Sequence, residues 1–209
     1  MDMTEREGLK EQLRAMAAGR GDGIDLDSPQ RWVITDLKDS VSFFRQLDQL
    51  IPASSILYLE GCGIVPEVVC FYEANKAANA VFVVRDTIFP IPETFHVPMT
   101  PAVLEGIVGM LSQYPLVACF NHVKAYRDEK LLFAFHDAFD GSDFLVSDRV
   151  SERSMQAFCS AVGANYRCEP NVNKRDPEQF RRILWALENP HKLRINWPWW
   201  KKALFFWKR

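Results

Sequence analysis

Between Leu116 and Asp148 the chain reads LVACFNHVKAYRDEKLLFAFHDAFDGSDFLVSD. Three runs rich in β-branched and aromatic residues are separated by RDEK and FDGS, which is the pattern of a three-stranded antiparallel meander. Asp140-Gly141 is the dipeptide of a two-residue type I′ turn. If RDEK is a four-residue loop, Tyr126 pairs with Leu131 and Asn121 faces His136. With the turn at Asp140-Gly141, His136 also faces Leu145. Asp137 then lies opposite Phe120 and Phe144, with His122 one diagonal away.

The rest of the chain supplies helices and further strands. Thr4 and Glu7 form a capping box for a first helix that ends near GRGDG. RGD at 20–22 reads as a polar helix exit, not an adhesion motif. A second helix is expected from about Asp36 to Ile51, with Val41, Phe44, Leu47, Asp48 and Ile51 near one face and Phe43 and Leu50 widening it. Residues 56–85 read as β–α–β: an apolar run at 56–59, a helix near 66–76, and a strand from Ala80 to Arg85. The two strands can be parallel neighbours or members of an antiparallel sheet. Four prolines in 88–101 predict an extended segment poor in hydrogen-bonded structure. Thr100-Pro101 starts a helix through about Gln113, and Ser151 one through about Val162. NYRCEP adds a short strand, and a last helix runs from Asp176-Pro177 to Asn189-Pro190.

This order predicts an α+β fold: a mixed sheet of about five or six strands with a C-terminal antiparallel meander, flanked by helices. The expected organisation is an N-terminal helix and flexible exit at 1–25, a single α+β domain at 26–196, and an amphipathic C-terminal helix at 197–209 packed on that domain.

Charge sharpens the view of that C-terminal segment, WPWWKKALFFWKR. It holds four of the six tryptophans. From His191 onward there are six basic residues and no acids; taking them from the 25 basic residues leaves 19 against 27 acids. On a helix, Trp199, Trp200, Phe206 and Trp207 share a face with Ala203 and Leu204, while Lys201, Lys202, Lys208 and Arg209 share the opposite arc. Such a helix can close the core, lie on an anionic membrane surface, or meet a protein partner. The acidic remainder disfavours nucleic acid.

Two clusters carry polar chemistry. In FHDAFDGSDF, His136, Asp137, Asp140 and Asp143 fall within eight positions. Strand alternation sends His136 and Asp137 to opposite faces, giving one pair with Asn121 and another with His122. Either pair satisfies buried polar groups without catalysis. Asp140 serves the turn, and the spacing is not that of a calcium loop. At the strand ends of the β–α–β unit stand Glu60, Cys62, Arg85 and Asp86. Cys62, on the EGCG turn, is a candidate nucleophile or a buried turn thiol.

Five cysteines without CxxC or zinc spacing point to a reducing compartment. The charged N-terminus is not a secretory signal, and a cytoplasmic protein is expected. No hydrolase, zincin, kinase or phosphate-loop motif is present, and neither cofactor nor metal is expected. The expected function is binding, to a protein partner in an immunity- or adaptor-like role. The alternatives are an enzyme with its pocket near the 60–63 and 85–86 loops, and a peripheral membrane protein using the C-terminal helix.

Overall fold

The computed structural model describes residues 10, 13–14, 28–87, 90–171 and 177–189. Seven strands form one sheet: β1 Gln30–Thr35, β2 Ile56–Gly61, β3 Glu93–Pro98, β4 His122–Arg127, β5 Lys130–Phe135, β6 Phe144–Ser147 and β7 Asn165–Pro170. Their order is β3-β2-β4-β5-β6-β1-β7, with every neighbouring pair antiparallel. The helices are α1 Ser40–Leu50, α2 Pro66–Ala74, α3 Pro101–Leu111, α4 Glu152–Val162 and α5 Pro177–Glu188. The α+β class is therefore as expected, but the sheet has no parallel pair and more strands.

Local chemistry sets the helix starts. Asp39 caps α1, accepting from the Val41 amide at 3.0 Å. Thr100 caps α3 from the Val103 amide at 3.3 Å, with Pro101 in the first turn. Ser151 caps α4, which stops at Gly163 in the left-handed region (φ 68°).

Alternation then gives the sheet two different faces. One face carries Leu57, Leu59, Phe95, Val97, Val123, Ala125, Phe133, Phe135, Phe144 and Val146 and packs in one core with buried side chains from α1 to α4. Phe43 of α1 is its hub, within ring-centroid distances of 4.9–6.0 Å of Phe44, Phe133, Phe135, Phe139, Phe144 and Phe158. The opposite face, over β2, β3 and β4, carries Tyr58, Glu60, His96, His122, Lys124 and Tyr126, in register across the strands.

Three expectations fail for identifiable reasons. Ala80–Arg85 is not a strand, because β2 already has β3 and β4 on its two sides. The segment crosses the polar face instead: Val81 and Val83 pack on Tyr58, Tyr126, Ile56 and Leu131. The proline segment, expected to lack ladder structure, contains β3; its Pro98 closes an edge strand, where a missing amide is tolerated. No strand is expected at Gln30–Thr35, yet WVIT is a β-branched and aromatic run that pairs with both β6 and β7.

The described residues of a second compact unit, which comprises 1–22 and 172–209, are Lys10, Leu13, Arg14 and α5 with Asn189. Leu13, Ile183, Ala186 and Leu187 are buried, and Arg14 pairs with Glu188 at 2.9 Å. Most of the expected N-terminal helix, and all of 197–209, lie outside the described residues. No helix among the described residues is long and apolar enough to cross a membrane.

Phe43→Ala removes the ring on which the aromatic core converges. It should lower the unfolding free energy by about 3–5 kcal/mol, read as a lower urea midpoint with an unchanged slope.

Candidate functional site

The polar face is organised by the segment 80–87, which lies over it as a strap. Strap and sheet share no backbone ladder; sheet side chains take the strap's backbone groups instead. The Val81 amide donates to the Tyr126 hydroxyl at 3.3 Å, and Lys124 Nζ donates to the Val84 carbonyl at 2.7 Å. Glu60, with no exposed surface, accepts from the Asp86 amide at 3.0 Å and the Thr87 amide at 2.6 Å. Its third donor is the Tyr58 hydroxyl at 2.7 Å.

This clamp places Asp86 against β4 and the end of β5. Its Oδ1 takes Lys124 Nζ at 3.0 Å. Its Oδ2 lies 2.9 Å from His136 Nδ1 and 3.9 Å from His122 Nδ1. One ligand atom from each of Asp86, His122 and His136 lies within 4.8 Å of the other two. Burial by itself would raise the Asp86 carboxyl; Lys124 and the two imidazoles outweigh it and hold the group well below the usual carboxylate range.

Hydrogen bonds fix the tautomer of His122. The Asp137 amide can only donate, so Nδ1, 2.9 Å away, accepts. The proton is then on Nε2, which donates to Thr87 Oγ1 at 3.0 Å. Asp86 Oδ2 and His136 Nδ1 differ from this: despite their closeness neither has a hydrogen-bond partner, because their approach is at the wrong angle.

The sequence places the two histidines on opposite faces, with His136 beside Asn121 and Asp137 beside His122. The expected pairing of Tyr126 with Leu131 is present, but a β-bulge follows at once, and Ala125 pairs with Phe133. That one-residue shift carries His136 to the face of His122. The Asp140-Gly141 hairpin also differs. Phe135 pairs with Phe144, and the connection spans 136–143 with Asp137, Phe139 and Gly141 all at positive φ. Asn121 instead braces the strand ends, accepting from the Cys62 amide at 2.9 Å.

Of the expected strand-end residues, Glu60 and Asp86 join the cluster; Arg85 is half-buried beside Asp86 on the strap. Cys62 is half-buried, its thiol pushed up by burial and by Glu60 and Glu93, which opposes thiolate formation. Asp140 is exposed and its amide closes a turn onto the Asp137 carbonyl, while Asp143 makes a 3.7 Å surface pair with Arg167. Trp199, Trp200, Lys201, Lys202, Phe206 and Trp207 lie outside the described residues. Tyr58, Thr87 and Lys124 were not candidates. Lys124 leaves a signal, a lone charge between Val123 and Ala125 inside a strand whose two faces are both covered.

Two predictions test this network. Glu60→Ala strands three donors and should cost about 3 kcal/mol or more, with faster hydrogen exchange at the Asp86 and Thr87 amides. His96 bonds the Tyr126 hydroxyl through Nδ1 at 2.9 Å, and burial, then Lys76, holds its imidazole below the ordinary value. The unfolded chain therefore takes up this proton first as pH falls. Stability from His96 should be full above about pH 6.5 and decline below it, and His96→Gln should flatten that slope in melts across pH 7.5 to 5.5. No protein-family model, curated protein or solved structure matches this chain, so the chemistry of the site rests on its own geometry.

Proposed function

We propose that the protein binds one divalent transition-metal ion, of which zinc is the type case, between Asp86, His122 and His136. The observation that carries this reading is the pair of buried atoms, Asp86 Oδ2 and His136 Nδ1, that converge without a hydrogen bond. The two atoms face each other at 2.9 Å as a charge pair, but without ordinary hydrogen-bond geometry; buried polar atoms left that way are costly, and an ion between them removes the cost.

Donor type supports the same reading. Two imidazole nitrogens and one carboxylate oxygen suit zinc, ferrous iron or cobalt; calcium and magnesium prefer more oxygens. Lys124 holds Oδ1, leaving Asp86 one oxygen for the ion.

Binding a protein partner, the expectation from the sequence, derives from the aromatic and basic segment 197–209. The described surface adds Phe82, Ile91, Val117 and Trp185 as exposed apolar side chains on four separate segments of the chain, and scattered ones are ordinary.

Isothermal titration with zinc, cross-checked by elemental analysis of the dialysed protein, should find one ion per chain. His136→Ala should weaken it by about 100-fold, roughly 2.7 kcal/mol, with the circular dichroism unchanged. Absence of binding at millimolar zinc, or equal binding by the variant, overturns the proposal.

A further inference from the structure

An ion held by three protein ligands keeps a position for water or substrate, whereas four ligands close it. The residue that decides between these is Asp137. β5 ends at Phe135, and Asp137 takes φ 43°, so the chain turns back over His122. The turn brings two groups of one residue to one nitrogen. The Asp137 amide donates to His122 Nδ1 at 2.9 Å, and Asp137 Oδ1 stands 3.7 Å from that same atom. The second distance resembles the 3.9 Å between Asp86 Oδ2 and His122 Nδ1, so both carboxylates approach the same nitrogen.

The Nδ1 lone pair serves the amide or an ion, never both. An ion entering the cluster therefore releases the Asp137 amide. The Asp137 side chain is 66% exposed and able to rotate; its carboxylate stands beside one of the three ligand atoms, outside the group that Asp86, His122 and His136 form, and a side-chain rotation brings it to the ion. Resting on the metal reading above, we propose that Asp137 is the fourth ligand. The site then closes around the ion with two imidazoles and two carboxylates, and the ion serves structure or sensing instead of holding a reactive water. Ion binding exchanges an amide hydrogen bond for a carboxylate ligand at one residue, coupling the ion to the 136–143 connection.

The test titrates cobalt(II) into the full chain and into Asp137→Asn; Asn is tolerated at positive φ. Asp137→Gly is a second variant that the backbone accepts. The full chain should give the intense visible absorption of four-coordinate cobalt. The variants should give a weaker spectrum of higher coordination and an affinity lower by about tenfold or more. In the ion-bound full chain the Asp137 amide should exchange faster, against the general slowing that ligand binding produces. A full-chain spectrum that is not four-coordinate, an unchanged spectrum in the variants, or a protected Asp137 amide overturns the inference. So does lower affinity with an unchanged spectrum, because an exposed carboxylate attracts an ion without ligating it. If the full chain takes up no cobalt at all, it is the metal reading that fails.

Discussion

Glu60 has no exposed surface and accepts three hydrogen bonds, and the polar half of the molecule depends on it. The strap it holds has no ladder partner, so each of its buried amides needs an acceptor from a side chain. An apolar residue at position 60 could fill the space, and such replacements are often neutral for buried charges in general. It could not receive the amides of Asp86 and Thr87. Without that clamp Asp86 would be held only through Lys124, which bonds its Oδ1 and the Val84 carbonyl, and its backbone would no longer be fixed above the two histidines.

The sheet separates two tasks by alternation alone. The residues pointing to the helices are almost all aliphatic or aromatic and meet around Phe43. Their neighbours one position along point the other way and form the charged network. The rigidity of the aromatic layer is what allows the polar layer its exact spacings. His122 and Lys124 follow one another on β4, with the core residue Val123 between them, so neither can shift without disturbing the packing.

Much of the frame was legible in the sequence because it rests on local chemistry. Thr100-Pro101 and Ser151 read directly as helix starts, and both caps are present. The meander was legible from its period, and so was the pairing of Tyr126 with Leu131. What failed depends on non-local choices. The apolar, β-branched run at Ala80–Arg85 shows a segment that is partly buried, not whether its backbone meets a strand or a set of side chains. The bulge beside Ala125 has no sequence mark, since no glycine stands there, yet it reverses the face of His136. The turn at RDEK was legible, but not that Arg127 pairs with Lys130 and leaves only Asp128-Glu129 in it: both residues adopt positive φ without the asparagine or glycine that usually announces so tight a turn. Glu60 and Asp86 could be named as strand-end residues, but their convergence needs the strap.

The tautomer of His122 separates acid–base chemistry from ligation in this cluster. A histidine that activated the Thr87 hydroxyl would need an unprotonated Nε2 facing it. Here the amide at Nδ1 forces the proton onto Nε2, so the imidazole donates to Thr87 and has no free base on that side. The same proton position is the one a ligand requires: Nδ1 bare, Nε2–H held by an oxygen that fixes the ring. Thr87 is itself fixed, because Glu60 takes its amide. The chain of contacts from Glu60 through Thr87 to His122 therefore prepares Nδ1 for an ion. Only the Asp137 amide occupies it, and that amide belongs to a residue with a carboxylate to offer in exchange.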